Sequence, residues 1–334
     1  MRFLIAGFGS IGRRHFRNLK ALGERDIILY RTHQSTLKDD ELAAYPIETD
    51  LRKALDYRPD AVIIANPTAL HLDVAIPAAR AGCSILIEKP VSHSSEGLDE
   101  LKAALQEGGG RLLVGFQFRY HPGLQKVVEL LKLKEIGRPL SFRAQWGEYL
   151  PDWHPWEDYR KSYSARADLG GGVVLTLSHP LDYLRWLFGE VESVWAYTAH
   201  LSDLELQVED MAEIGLSFEN GPIGSVHLDY YQRPAVHRME IVGTEGLIQW
   251  NNADGAARLF RASVDSWESF LLPSGFERNE LFLAEMRHFI SVARGEEPPA
   301  CTLADGMQVM NLVQAVHESS RLQKQIFLNH HARA

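Results

Sequence analysis

Residues 2–12 read RFLIAGFGSIG, an apolar run that breaks into three glycines ahead of a helical pattern over residues 12–22. A near-continuous apolar strand suits a sheet covered on both faces. In a strand-turn-helix setting each glycine has a task. Gly7 permits the tight turn, Gly9 lets the backbone approach a pyrophosphate, and Gly12 allows the helix to pack closely on the strand. Phe8, Ser10 and Ile11 complete the loop, and the helix start presents unpaired N–H groups and partial positive charge to phosphates. The stretch predicts a dinucleotide-binding turn, with a plain glycine turn as the bland alternative.

Outward from it, DIILY (26–30), AVIIA (61–65), SILIE (84–88) and RLLVGF (111–116) are further apolar strands. Helical patterns over 12–22, 70–80 with Thr68 as cap, and 95–105 alternate with them, which predicts a doubly wound parallel sheet. Beyond about residue 137 the pattern changes to longer, partly alternating strands: PLSFRAQWGEYL, VESVWAYTAHL, DMAEIGLSFEN, PIGSVHLDYYQ and HRMEIVGTEGLIQW, with turns at Asn220-Gly221 and Thr244-Glu245-Gly246. These predict a large open, mostly antiparallel sheet, interrupted by one helix over 177–188 that Gly189 ends. Two helices close the chain, the second opened by a Thr302/Asp305 capping pattern. The expected organisation is therefore α/β: a Rossmann domain over 1–120 and an α+β domain over 121–334 for substrate binding and oligomerisation, the last helices free to pack back on the first domain.

Composition narrows the function. The chain has 334 residues, enough for two domains, and a net charge of −9, which argues against nucleic acid or an anionic membrane as partner. No apolar run is long enough to span a bilayer. Two distant cysteines fit a reducing compartment, so a cytoplasmic protein is expected. His330 and His331 are adjacent and lack nearby carboxylates, so no metal site is expected there.

At the end of the second strand an acidic residue would mark NAD by accepting hydrogen bonds from the ribose 2′-OH. Tyr30, Arg31 and Thr32 stand there instead, with Arg13, Arg14 and His15 on the first helix. Arg31 suits a 2′-phosphate, so NADP(H) is favoured and NAD(H) is the alternative.

In CSILIEKPVS (83–92) an apolar strand ends in Glu88, Lys89 and Pro90. Ligands of an open parallel sheet bind outside the carboxyl ends of its strands. Lys89 shares that edge with the glycine turn and with Asn66-Pro67-Thr68. Pro90 restricts Lys89 to extended backbone, and a lysine there can hydrogen-bond a C–OH or C=O oxygen whose carbon faces the nicotinamide. The bland alternative is a strand-end lysine emerging into solvent.

GFGSIG, Asn66-Pro67-Thr68 with His71, Glu88-Lys89-Pro90, GFQFRYHP (115–122), GGGVVLTLSHPLDYLRWLFG (170–189) and the closing ERNELFLAEMRHFI occur in order along nearly the whole chain. Together they resemble the glucose-fructose oxidoreductase and inositol dehydrogenase family, Gfo/Idh/MocA. The resemblance implies NAD(P)-dependent oxidation or reduction of a sugar, cyclitol or nucleotide-sugar, and a homodimer or homotetramer formed through the second-domain sheet. It implies Lys89 as catalytic lysine, in a bond to proline that is frequently cis, with Asn66, Pro67, His71 and Glu88 beside the cofactor. His179 matches the family histidine that handles the proton at the reacting oxygen, and imidazole titrates near neutrality. Many members carry an aspartate three or four residues earlier; Leu175 and Thr176 stand there here, which leaves the proton relay and the substrate open. Asp182, Arg119, Tyr120 and Thr176 are substrate-side candidates. In YLPDWHPWEDYRKSYSARAD (149–168), Trp156, Tyr159 and Arg160 could stack on a sugar ring and bind an anionic group, or pack the loop onto the sheet. The block is also similar to that of family members linked to bacterial polysaccharide building blocks. The alternative function is a non-catalytic dinucleotide-binding sensor of the same fold.

Overall fold

The computed structural model describes residues 1–31, 42, 44–219 and 221–328; Thr32, Asn220, His330 and His331 lie outside the described residues. The chain runs β1 (Arg2–Ala6), α1 (Ser10–Ala21), β2 (Asp26–Tyr30), β3 (Ile47–Glu48), α2 (Leu51–Asp56), β4 (Ala61–Ile64), α3 (His71–Arg80), β5 (Ser84–Glu88), α4 (Leu98–Gly108) and β6 (Leu112–Gly115). It continues α5 (Pro122–Lys132), β7 (Pro139–Gly147), α6 (Val173–Thr176), α7 (His179–Phe188), β8 (Val191–Ala199), β9 (Met211–Phe218), β10 (Ile223–Asp229), β11 (Val236–Gly243) and β12 (Gly246–Asn251). Then follow β13 (Ala257–Arg261), β14 (Ser266–Phe270), α8 (Asn279–Arg294), α9 (Leu303–Leu322) and β15 (Ile326–Phe327). Two compact units result. The first holds Met1–Gln117, Asp168–Gly170 and Glu277–Met310; the second holds Phe118–Ala167, Gly171–Phe276 and the chain from Asn311.

In the first unit six parallel strands lie in the order β3-β2-β1-β4-β5-β6. Every residue of β4 and β5 is buried, as their apolar runs require of strands covered on both faces. Pro67 sends the chain directly into a 3-10 turn over Thr68–Leu70, so Thr68 is already wound and does not cap α3 as expected. Gly97, at φ 81°, delays the start of α4 to Leu98. α8 packs on α1, β5 and β6 and ends at left-handed Gly295. The capping pattern forms: Thr302 N–H donates to Asp305 Oδ2 at 2.8 Å, and Asp305 N–H donates to Thr302 Oγ1 at 3.1 Å.

In the second unit nine strands lie in the order β14-β13-β12-β11-β7-β10-β9-β8-β15. The pairing of β10 with β7 is parallel and the other pairs are antiparallel. In β8, Val194 and Ala196 are buried while Trp195 and Tyr197 are half exposed, so one face of the sheet carries aromatic rings outward. The structure adds α5, whose Leu124, Val127 and Leu130 face inward. Its cap is an imidazole: His121 Nδ1 accepts from Gly123 N–H at 3.1 Å, and burial pushes the His121 pKa down to about 4, which keeps that nitrogen an acceptor. The helix expected from residue 177 begins at His179, with Pro180 in its first turn. No helix among the described residues is long and apolar enough to cross a membrane.

Candidate active-site residues

The three glycines of the turn divide by what surrounds them. Gly7 sits at φ +91°, and a Cβ there would lie 2.5 Å from Asn66 N and 2.7 Å from Ala65 O. A Cβ on Gly12 would lie 2.2 Å from Gly7 O, so any side chain would push α1 off the sheet. Gly9 differs: its φ of −77° and ψ of −161° suit any residue, and nothing lies within 4 Å of an added Cβ. Protein packing requires Gly7 and Gly12, whereas the space about Gly9 is open. No acidic residue occupies the first turn of α1, which keeps its N–H groups and dipole available to an anion. Beside the turn, the guanidinium of Arg13 lies 4.8 Å and that of Arg31 5.8 Å from the Phe8 ring centroid. His15 does not join them as expected. It is fully buried, with Nε2 2.6 Å from Glu88 Oε1, and its ring is turned to the sheet instead of a 2′-phosphate. Arg14 lies over the Phe282 ring at 4.3 Å.

At the end of β5 the Lys89–Pro90 peptide bond is cis. His71, fully buried at the start of α3, joins the neighbouring strand ends. Its Nδ1 lies 3.0 Å from Pro90 O and its Nε2 3.0 Å from Asn66 O. Burial lowers its pKa, against the opposing effect of the Asn66 carbonyl and the Glu88 charge, so the ring is neutral near pH 7 and donates to one carbonyl at a time. Asn66 Nδ2–H donates to Leu70 O at 3.0 Å, while its buried Oδ1 has no hydrogen-bond partner among the described residues. An orphaned acceptor at a strand end, beside the gap at Gly9, fits a bound dinucleotide.

In the second unit, the glycine run before His179 answers to crowded backbone. A Cβ on Gly171 would lie 2.5–2.8 Å from the carbonyls of Tyr163, Ser164 and Arg166. Gly172, at φ +109°, faces the Glu209 carboxylate, which accepts from Val174 N–H at 3.3 Å and so holds the start of α6. His179 is buried at the start of α7, 4.9 Å from the Phe118 ring and 5.5 Å from Trp146. Behind them His237 stacks on Trp146 at 4.2 Å. The imidazole is thus backed by aromatic rings that fix its plane. Arg119 Nη2–H donates to Asp182 Oδ1 at 2.6 Å and Arg119 Nε–H to Asp182 Oδ2 at 3.0 Å, a buried bidentate pair. Two residues expected on the substrate side therefore bind each other. Tyr230 OH donates to Ser164 O at 3.4 Å, and burial raises the pKa of this phenol, against an opposing effect from neighbouring Thr176. Arg160 is exposed and engaged by Asp158 at 2.8 Å and Glu205 at 3.2 Å, Tyr159 OH accepts from Glu205 N–H at 3.2 Å, and Trp156 is exposed beside His154. Tyr120 stays half-buried near the start of α5. Sequence reasoning did not foresee Glu209, Tyr230, His237 or Glu285, because nothing in their local spacing distinguishes them.

A family model described as "Oxidoreductase family, NAD-binding Rossmann fold" matches residues 1–116, and one described as "GFO/IDH/MocA C-terminal domain" matches 124–249. The chain belongs to the Gfo/Idh/MocA family. Among its relatives, the myo-inositol 2-dehydrogenase of Thermotoga maritima is 28% identical over 96% of each chain. The uncharacterized oxidoreductase YrbE of Bacillus subtilis is 30% identical over 98% of this chain and 96% of its own. The structure of the WlbA dehydrogenase of Bordetella pertussis in complex with NADH and UDP-GlcNAcA superposes with a TM-score of 0.81 at 25% identity, covering 98% of this chain and 99% of that one.

Gly9→Ala is expected to fold with unchanged thermal stability and to bind NADH at least about tenfold more weakly by fluorescence titration, whereas Gly12→Ala loses about 1–3 kcal/mol of stability or more. For the Arg119–Asp182 pair, Arg119→Met and Asp182→Leu singly cost about 3–5 kcal/mol in denaturant unfolding, and the double variant recovers a large part of that loss.

Proposed function

We propose that the protein is an NAD(P)-dependent dehydrogenase or reductase acting on a hydroxyl or keto carbon of a sugar, cyclitol or nucleotide-sugar. The observation that carries this reading is the built strand-end edge of the first unit: a gap kept at Gly9, an orphaned Asn66 oxygen, and a lysine whose flanking carbonyl is held by a buried histidine. When bound, the nicotinamide accepts or donates a hydride at C4. The residues that hold the dinucleotide are Gly7, Phe8, Gly9, Ser10, Ile11 and Gly12 at the pyrophosphate, with Asn66 and Pro67 at the strand end. His71 acts behind them at the backbone carbonyls of Pro90 and Asn66, and Glu88 by pairing with His15. Lys89 hydrogen-bonds the reacting oxygen and stabilises its developing charge. His179 moves the proton of that oxygen, and its aromatic backing keeps the ring in one orientation. Arg119 and Asp182 position the start of α7 through their ion pair. The names of the relatives, a cyclitol dehydrogenase and a dehydrogenase complexed with a nucleotide-sugar, support the substrate class.

Arg31 and Arg13, both near the Phe8 ring, favour NADP(H), with NAD(H) as the alternative. The outward Trp195 and Tyr197 of β8 support association of copies through the sheet, as a homodimer or homotetramer. Two buried cysteines that form no disulfide, Cys83 and Cys301, support a reducing compartment, the cytoplasm. A second reading, a sensor that binds dinucleotide without turnover, is favoured by one observation: Leu175 and Thr176 stand where many family members carry an aspartate.

Turnover of a panel of cyclitols and nucleotide-sugars, followed by NADH and NADPH absorbance, separates the two readings; binding of dinucleotide with no turnover supports the sensor. On an active substrate, Lys89→Ala is expected to lower kcat by about a hundredfold or more with dinucleotide affinity nearly unchanged, and equal turnover rejects the assigned role. Arg31→Ala should weaken NADPH by at least about tenfold while leaving NADH within about twofold; equal losses for both reject the NADP assignment.

A further inference from the structure

His15 on α1, Glu88 at the end of β5 and Glu285 on α8 meet in the interior of the first unit. One nitrogen or oxygen atom from each lies within 4.8 Å of the others, and all three residues are buried. Glu88 has a partner in His15, at 2.6 Å, whereas neither oxygen of Glu285 has a hydrogen-bond partner among the described residues. Helix α8 is fixed along α1 on both sides of this point. Asn279 Nδ2–H donates to Asn18 Oδ1 at 3.0 Å, and Arg294 pairs with Glu24 at 3.1 Å. Between these ties Phe282 packs its ring against His15 and under Arg14. Glu285 is therefore carried to the cluster by a rigid helix and cannot withdraw to water.

Two carboxylates this close in an apolar interior cannot both be ionised without compensation. Glu88 has the imidazole; Glu285 has nothing comparable. We propose that Glu285 is a positioning residue of the dinucleotide site: as a neutral acid it completes the cluster that joins the helix of the glycine turn to the strand end preceding Lys89, and its ionisation disrupts that joint and weakens dinucleotide binding. Burial first, and the Glu88 charge second, hold the Glu285 carboxyl well above the usual carboxylate range. The other groups about the cluster are Arg14 from α1, which feels the charges of Arg278 and Glu88, and His71 from α3, whose imidazole feels the Glu88 charge. Burial lowers the His71 pKa from 6.5, so its titration falls below neutral pH and does not overlap a measurement made above about pH 7. Because the folded-state pKa of Glu285 is raised, the stability it contributes is present at acid pH and is lost as pH rises from the ordinary carboxylate range toward the raised value. An anionic dinucleotide binds best to the protonated form for the same electrostatic reason.

The inference rests on the dinucleotide reading of the glycine turn, and the test keeps the two apart. NADH affinity of the full chain is measured by fluorescence from about pH 7 to about pH 9.5, a range in which NADH itself does not titrate, for the wild type, Glu285→Gln and Glu285→Ala. The expected wild-type affinity falls by about tenfold across that range. Glu285→Gln, which keeps the shape of the neutral acid, holds the neutral-pH affinity throughout, and Glu285→Ala is weaker by several-fold at every pH. A flat wild-type profile, a Glu285→Gln profile that follows the wild type, or Glu285→Ala binding as the wild type does would overturn the proposal. So would one equivalent of tightly held divalent metal in the purified protein, since a cation and not a proton would then balance the charge. Should Glu285→Ala fail to fold, the Glu285→Gln profile decides alone. Failure of the wild type to bind NADH or NADPH at any pH rejects the dinucleotide reading instead.

Discussion

The first unit depends on a backbone contact that no side chain could share. Gly12 of α1 faces Gly7 O so closely that a Cβ would sit 2.2 Å away, and Gly7 in turn abuts the end of β4. That contact seats the helix directly on β1 and β4 and points its free N–H groups over the carboxyl edge of the sheet. The remaining features of the edge follow from this seating. Two guanidiniums lie near the Phe8 ring, Asn66 is presented at the strand end, and His15 is turned inward to Glu88. A strand-end lysine would ordinarily be a solvated charge. Here its surroundings are set by a buried imidazole: His71 lies between the carbonyls of Pro90 and Asn66, 3.0 Å from each, and donates to one of them.

The second unit solves a similar problem with different means. Gly171 and Gly172 are crowded by the carbonyls of the 163–166 turn and by the Glu209 carboxylate, so the short helix α6 and the start of α7 are set by close backbone approach. His179 then gains its orientation from aromatic rings, and Asp182 forms a buried ion pair with Arg119. In both units buried groups surround the residues assigned to chemistry, an arrangement that narrows the geometries open to reactive side chains.

Much of this was legible in the sequence for stated physical reasons. Strands buried on both faces must be apolar throughout, so β1, β4 and β5 could be read nearly to the residue, and three glycines spaced in this way between a strand and a helix mark a place where backbone must come close to backbone or to a ligand. Gly295 and the Thr302/Asp305 pair marked the ends of α8 and α9 because caps are local chemistry. What local pattern does not carry was missed. Helix α5 is capped by an imidazole in place of an alcohol or acid, and β13 and β14 are short and half exposed. Thr68 looked like a cap, yet Pro67 winds the chain one step too early. Arg119 and Asp182, 63 positions apart, gave no sign that they neutralise each other, and Glu285 looks like any acidic helix residue until its burial against Glu88 is seen.

The central claim is that the space above Gly9 and the lysine after β5 serve one dinucleotide. Its most direct test is a crystal structure of the protein with NADH or NADPH bound. The account predicts pyrophosphate oxygens about 3 Å from the backbone N–H groups at the start of α1, over Gly9, with the nicotinamide ring extending toward Lys89. A dinucleotide bound elsewhere, or one seated on the turn with its nicotinamide directed away from the β5 end, would contradict it.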